Sequence, residues 1–179
     1  FTVLGAGVGS RKESANGVEH TFEFSQPSFP GNIAAVREEP VTAERDGARM
    51  AVYFKTGSED LARVYGEAAA EMMNFFTGRF GPPYSQNLVL VEAGEYAPEG
   101  YAGPGMVFLS PYGIRASLNR PLLGRQVAHQ WWRSIVSPGN RRHLWLDYGF
   151  AWYSALMEIQ ENEGQEAFDL RIQETRVES

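Results

Sequence analysis

Three observations predict an α+β fold for this chain of 179 residues. In its first third, apolar residues alternate with a period of two, as in His20–Phe24 and Arg49–Phe54, between Pro and Gly breaks. From Ser58 the spacing turns helical, and Leu61, Val64, Tyr65, Ala68, Met72, Phe75 and Phe76 fall on one stripe that runs to about Arg79. With 43% hydrophobic and 13% aromatic residues, a chain of this length can bury a sizeable core.

The opening Val3-Leu4-Gly5-Ala6-Gly7-Val8-Gly9 looks like the start of a dinucleotide-binding turn. A phosphate site there needs a strand followed by a helix, yet Ser10–Gly17 carries no apolar stripe and the glycine spacing is one residue short, so a Gly-rich strand is expected. Ser58 is placed as a helix N-cap, with Glu59 and Asp60 in the first turn, and Phe80-Gly-Pro-Pro-Tyr84 stops that helix. Asn87–Glu92 and Met106–Ser110 read as two buried strands around a Gly/Pro-rich loop, and helices are expected at about 119–136, 146–162 and 164–176.

A formal charge of -6, a pI near 5.1 and the lack of a basic stripe argue against a nucleic-acid partner, and none is expected. No apolar run approaches the roughly 18 residues of a membrane span. Without cysteine there is no disulfide and no thiolate chemistry, but the compartment stays open. The start Phe-Thr-Val-Leu has neither Met nor a basic leader, so the chain is expected to come from a longer polypeptide with flanking domains.

The most informative stretch runs from Arg125 to Ala151. It contains His129-Gln130-Trp131-Trp132, then Val136-x-Pro138, then Leu144-Trp145-Leu146-x-x-Gly149-Phe150-Ala151. This set resembles the gluzincin aminopeptidases, the aminopeptidase N-like family of zinc metallopeptidases. There, His-Glu-x-x-His on a helix gives two zinc ligands and the general base, and a Glu 19 residues past the second His gives the third ligand. Counting 19 from His129 reaches Tyr148, with the flanking words in register and no gap. Upstream, Glu67–Tyr84 resembles the family helix ending in Phe-Gly-x-Pro-Tyr, and Leu88–Leu109 resembles its next strands and substrate loop. The resemblance covers about two thirds of the chain.

It implies a thermolysin-like (zincin) catalytic subdomain over 58–179, truncated at its C-terminal side, with a mixed β-sheet packed against helices. Residues 1–57 would be a β-rich segment matching, more weakly, the end of the family's N-terminal β domain. The family's transition-state Tyr would lie beyond residue 179.

Carried over position by position, the reactive groups are replaced. His129 matches the second ligand, but Arg125 stands at the first, and a guanidinium has no lone pair to donate. Tyr148 stands at the third, and phenols titrate near 10. Gln126 replaces the general base, whose loss alone costs about 10²–10⁴ in rate. Ala102 replaces the Glu that grips the substrate amine.

No catalytic or metal-binding residue and no cofactor are therefore expected. The exception is a rival in which zinc is held with help from His143 or from residues outside 1–179, giving an active aminopeptidase. The preferred expectation is a catalytically inactive homologue serving as a binding or scaffold module, with a residual groove at Tyr101, Gly103, His129 and Tyr148 for a peptide or protein. His129 is expected as a core histidine hydrogen-bonded through its ring, and His20 and His143 as surface residues. The four Trp between 131 and 152 are expected as helix packing. Arg125, one turn from His129, is expected to fill the missing ion's place and donate to the Tyr148 oxygen.

Overall fold

The computed structural model describes residues 1–15, 17–26 and 32–177. Two small antiparallel pairs come first: β1 (Thr2–Gly5) with β4 (Ile33–Val36), and the hairpin β2 (Val8–Ser14) with β3 (Gly17–Glu23). A five-stranded mixed sheet follows, built from β5 (Val41–Arg45), β6 (Ala48–Tyr53), β7 (Asn87–Glu92), β8 (Gly100–Gly103) and β9 (Met106–Leu109) in the order β5-β6-β7-β9-β8. The central β6, β7 and β9 are parallel, and the edge strands β5 and β8 run antiparallel to their neighbours. Helix α1 (Glu59–Phe80) connects β6 to β7, and α2 (Arg120–Ala128), a 3-10 turn at Arg141–His143, α3 (Leu144–Glu163) and α4 (Gln165–Val177) complete the chain.

The β5–β6 hairpin turns on Asp46 and Gly47 at φ 48° and 85°. A two-residue turn of that hand needs positive φ at both positions, which Asp-Gly tolerates. The division expected at residue 57 falls on the link from β6 to α1, and β5 and β6 hydrogen-bond into the same sheet as β7. The opening Gly-rich stretch is strand, with β1 and β2 and no helix behind them.

Period-two burial gives the sheet two apolar faces. On one, Met50 and Val52 of β6, Leu88 and Leu90 of β7, and Val107 and Leu109 of β9 close on Tyr65, Met72, Met73 and Phe76 of α1 and on Leu123 and Val127 of α2. Each such side chain contributes about 1.5–3 kcal/mol on burial. On the other face, Val36, Tyr53, Val91 and Met106 form a smaller cluster with Leu4. The helical stripe read from the sequence is largely the buried face of α1, except that Val64 is exposed. Ser58 does hold the N-cap position, but its side chain makes no capping bond; Glu59 instead accepts the Gly57 N–H.

Two expected elements differ. The loop between β7 and β9 contains a further strand, β8, at the sheet edge. The helix expected over 119–136 stops at Ala128. Beyond it, the His129 ring takes the Trp132 carbonyl, while the Ser134 N–H and hydroxyl both donate to the His129 carbonyl. These contacts compete with the helical ladder, and side chains of this kind end helices for that reason. Trp131 anchors the turn by packing on Phe76 and Phe80 and donating its indole N–H to Gly81 at the end of α1.

Two features place α2 in space. The fully buried Tyr65 accepts backbone N–H bonds from Arg115 and Asn119, each at 3.1 Å, and donates to the Gly113 carbonyl, tying the approach to α2 onto α1. Gly124 lets α2 and α3 touch, since a Cβ there would lie 3.1 Å from that of Ala155.

At the start of α2, Arg120 joins three helices, bonding Glu158 of α3 and, at 3.2 Å, Glu71 of α1. Glu158 has no exposed surface; burial pushes its carboxyl up, and Arg120 works against that shift. Removing one member of a buried pair strands the other charge, so Arg120→Ala should cost about 3–5 kcal/mol. Urea unfolding checks this through a lower midpoint at an unchanged slope.

Candidate functional site

The segment from the end of α2 to the first turns of α3 brings the singled-out residues to the edge of the sheet at β8. His129 caps the C-terminus of α2 and is buried. Its Nδ1 lies 3.0 Å from the Trp132 carbonyl and 2.9 Å from Asp147 Oδ1. Both neighbours are acceptors, so Nδ1 carries the hydrogen. The alignment favours the carbonyl, leaving Asp147 Oδ1 close by without an in-line donor.

Asp147 is the centre of this arrangement. Its other oxygen accepts from Arg133 Nε at 2.9 Å, and its side chain is only 3% exposed. Burial works to raise its pKa, but the close approach of the His129 ring and the hydrogen bond and charge of Arg133 outweigh that and hold the carboxyl below the usual range. Arg133 also donates from Nη1 to the Ala102 carbonyl of β8 at 3.2 Å, and its guanidinium lies 5.3 Å from the Tyr148 ring centre. A single arginine thus connects the sheet edge to α3.

The expected groove residues sit around this cluster. Tyr148 is exposed and sets its ring edge against His129, and Tyr101 is exposed on β8 beneath Arg133. Ala102 and Gly103 are buried; the Gly103 carbonyl accepts from Gln130 at 3.0 Å, so two of the carbonyls of β8 are already engaged by side chains. Gln126 is buried and packs against Gly100 at the start of β8.

Arg125 departs from expectation. Its guanidinium makes no bond to Tyr148 and lies 5.8 Å from the Trp152 ring centre, one helical turn further along α3. Burial lowers its pKa, opposed by the more distant charge of Glu99. The space beside His129 is filled instead by Asp147 and Arg133, neither of which was singled out from the sequence. A signal for Arg133 existed, since it follows His129 by four residues, but the apparent helical spacing was spurious because the helix has already ended.

Two other expectations resolve in parts. Trp131 and Trp132 pack between helices, the latter stacked on Phe150 and donating to Ser154, whereas Trp145 is largely exposed. His143 is exposed at the N-cap of α3, and His20 is half-buried on β3. Among the described residues, no group of three or more His, Cys, Asp or Glu is arranged to hold a metal ion.

No protein-family model matches the chain. Among curated proteins it is similar to aminopeptidase M1-A of Oryza sativa subsp. japonica, with 27% identity over 123 residues, 62% of this chain and 14% of that protein. It is also similar to aminopeptidase M1 of Arabidopsis thaliana, with 25% identity over the same share of each. The chain therefore spans about one seventh of the length of these relatives. Among solved structures, native yeast LTA4 hydrolase aligns with 95% of this chain and 27% of its own, at a TM-score of 0.75 and 18% identity. The mixed sheet with its helices is thus the zincin-type α+β fold expected from the sequence. The similarity over about three fifths of the chain supports the resemblance to the aminopeptidase N-like family read from the sequence.

A pH prediction follows from Asp147. Its folded pKa is depressed, so its contribution to stability is present above the unfolded carboxylate value of about 3.9 and is lost as pH falls through the lower folded value. Asp147→Asn should cost about 2–3 kcal/mol at neutral pH, the scale of charge-assisted bonds. The variant should also lose less stability than the wild type on acidification below about pH 4. Thermal melts of both proteins across that range check the prediction, and parallel curves would contradict it.

Proposed function

We propose that this domain is a catalytically inactive homologue of the aminopeptidase N-like peptidases, retained as a binding or scaffold module of a larger protein. The observation that carries the proposal is the donor set at the aligned ligand positions, one imidazole, one guanidinium and one phenol, at Arg125, His129 and Tyr148. That set does not fit zinc. The imidazole commits Nδ1 to the Trp132 carbonyl with Asp147 beside it, the guanidinium lies over Trp152, and Arg133 brings a second fixed positive charge against the Tyr148 ring. A dication would meet repulsion from both arginines and a single imidazole nitrogen as donor.

The base position supports the same conclusion. Gln126 is an uncharged amide packed against β8, so it cannot take a proton from water at neutral pH. The substrate end is altered as well: Ala102 has no carboxylate for an amine, and its carbonyl is engaged by Arg133. What persists is an exposed aromatic rim at Tyr101 and Tyr148 around a buried polar cluster, a surface suited to recognition by contact rather than turnover.

Elemental analysis and aminoacyl-coumarin turnover on the purified domain test the proposal together. The expected outcome is substoichiometric zinc and no chelator-sensitive hydrolysis. One zinc per chain with chelator-sensitive cleavage would establish the rival, an active aminopeptidase.

A further inference from the structure

On the far side of Arg125 lies a groove of about 280 Å³ between α2, α3, α4 and the loop before β8. Its charged lining is Arg115, Arg125 and Arg171 against Glu99 and Glu174, an excess of one positive charge. Arg171 is paired with Glu174 at 2.8 Å. Arg125 has no such partner among the described residues: Glu99 acts on it only through space, and its nearest neighbour of note is the face of Trp152. Trp152 also lines the groove, and its indole N–H is buried with no hydrogen-bond partner among the described residues.

An unpartnered buried N–H costs free energy that an acceptor would recover, and a desolvated guanidinium without a counter-ion is unfavourable for the same reason. Arg125 and Trp152 both line one groove, with the guanidinium 5.8 Å from the ring centre. We propose that this groove binds a carboxylate group, with Arg125 as the cationic anchor and the Trp152 indole N–H as a second donor. The guanidinium fork is planar and matches the two oxygens of a carboxylate. One excess positive charge suits a monoanion better than a phosphate dianion, which Glu99 and Glu174 would repel. The substitution that removes a zinc ligand in the family pattern thereby supplies a new recognition group in this chain.

The proposal goes beyond the non-catalytic assignment, and its test depends on neither zinc nor turnover, so either can fail without the other. The Trp152 indole cross-peak in a proton–nitrogen correlation spectrum, assigned by its loss in Trp152→Phe, is followed during titration with sodium acetate at fixed pH, with sodium chloride as the ionic-strength control. A saturable shift with acetate alone is expected, with affinity about tenfold or more weaker in Arg125→Gln. If that variant does not fold, Arg125→Lys, which keeps the charge and loses the fork, should bind acetate more weakly than the wild type. An acetylated dipeptide that binds more tightly than acetate would identify a peptide terminus as the source, and equal binding a free small acid; both support the proposal. A shift matched by chloride, no shift at all, or undiminished binding in the arginine variants would overturn it.

Discussion

The site depends on one carboxylate. Asp147 stands between His129 and Arg133, and through them it fixes four pieces of the structure: the end of α2, the turn that follows, the edge strand β8 and the first turn of α3. A buried carboxylate persists only when its charge is compensated and its oxygens find donors. Arg133 compensates the charge and donates to one of the two oxygens, and it holds an unusual backbone conformation, with φ 155°, where it does so. A non-glycine residue in that region stores strain, which surrounding contacts must hold in place. The contacts with Asp147, the Ala102 carbonyl and the Tyr148 ring supply that restraint.

This clamp also gives the functional proposal a physical form. In this chain the helices α2 and α3 are held together by hydrogen bonds and an ion pair. The tight α2–α3 contact at Gly124, the Tyr65 hydrogen bonds and the Arg120 pairs keep the helices in place. Under the proposal, the fold no longer needs zinc for its geometry, and the former ligand positions are released to other uses. Arg125 has turned to the groove on its far side, and Tyr148 has turned toward solvent.

Much of the architecture was legible in the sequence because its signals are local. The stripe of α1, the buried strands β7 and β9, and the helices α3 and α4 follow from periodicity and punctuation. The edge strand β8 was not legible, since Gly100–Gly103 has almost no pattern of its own and is strand only because β9 lies beside it. The end of α2 was hidden for a related reason: apolar residues continue past Ala128, and the side-chain contacts of His129 and Ser134 that stop the helix have no sequence signature. The family resemblance directed attention to Arg125, His129 and Tyr148. Asp147, one residue before the position reached by counting, and Arg133 hold the cluster together, and only three-dimensional proximity reveals them.

The protonation pattern of His129 tests this account most directly. Long-range proton–nitrogen correlation of the imidazole should give a protonated Nδ1, as its two acceptor neighbours require, with ring nitrogen shifts unchanged when equimolar zinc is added. A zinc-dependent shift at the His129 ring nitrogens would mean that the imidazole still serves a metal and that the clamp is not what fills the site.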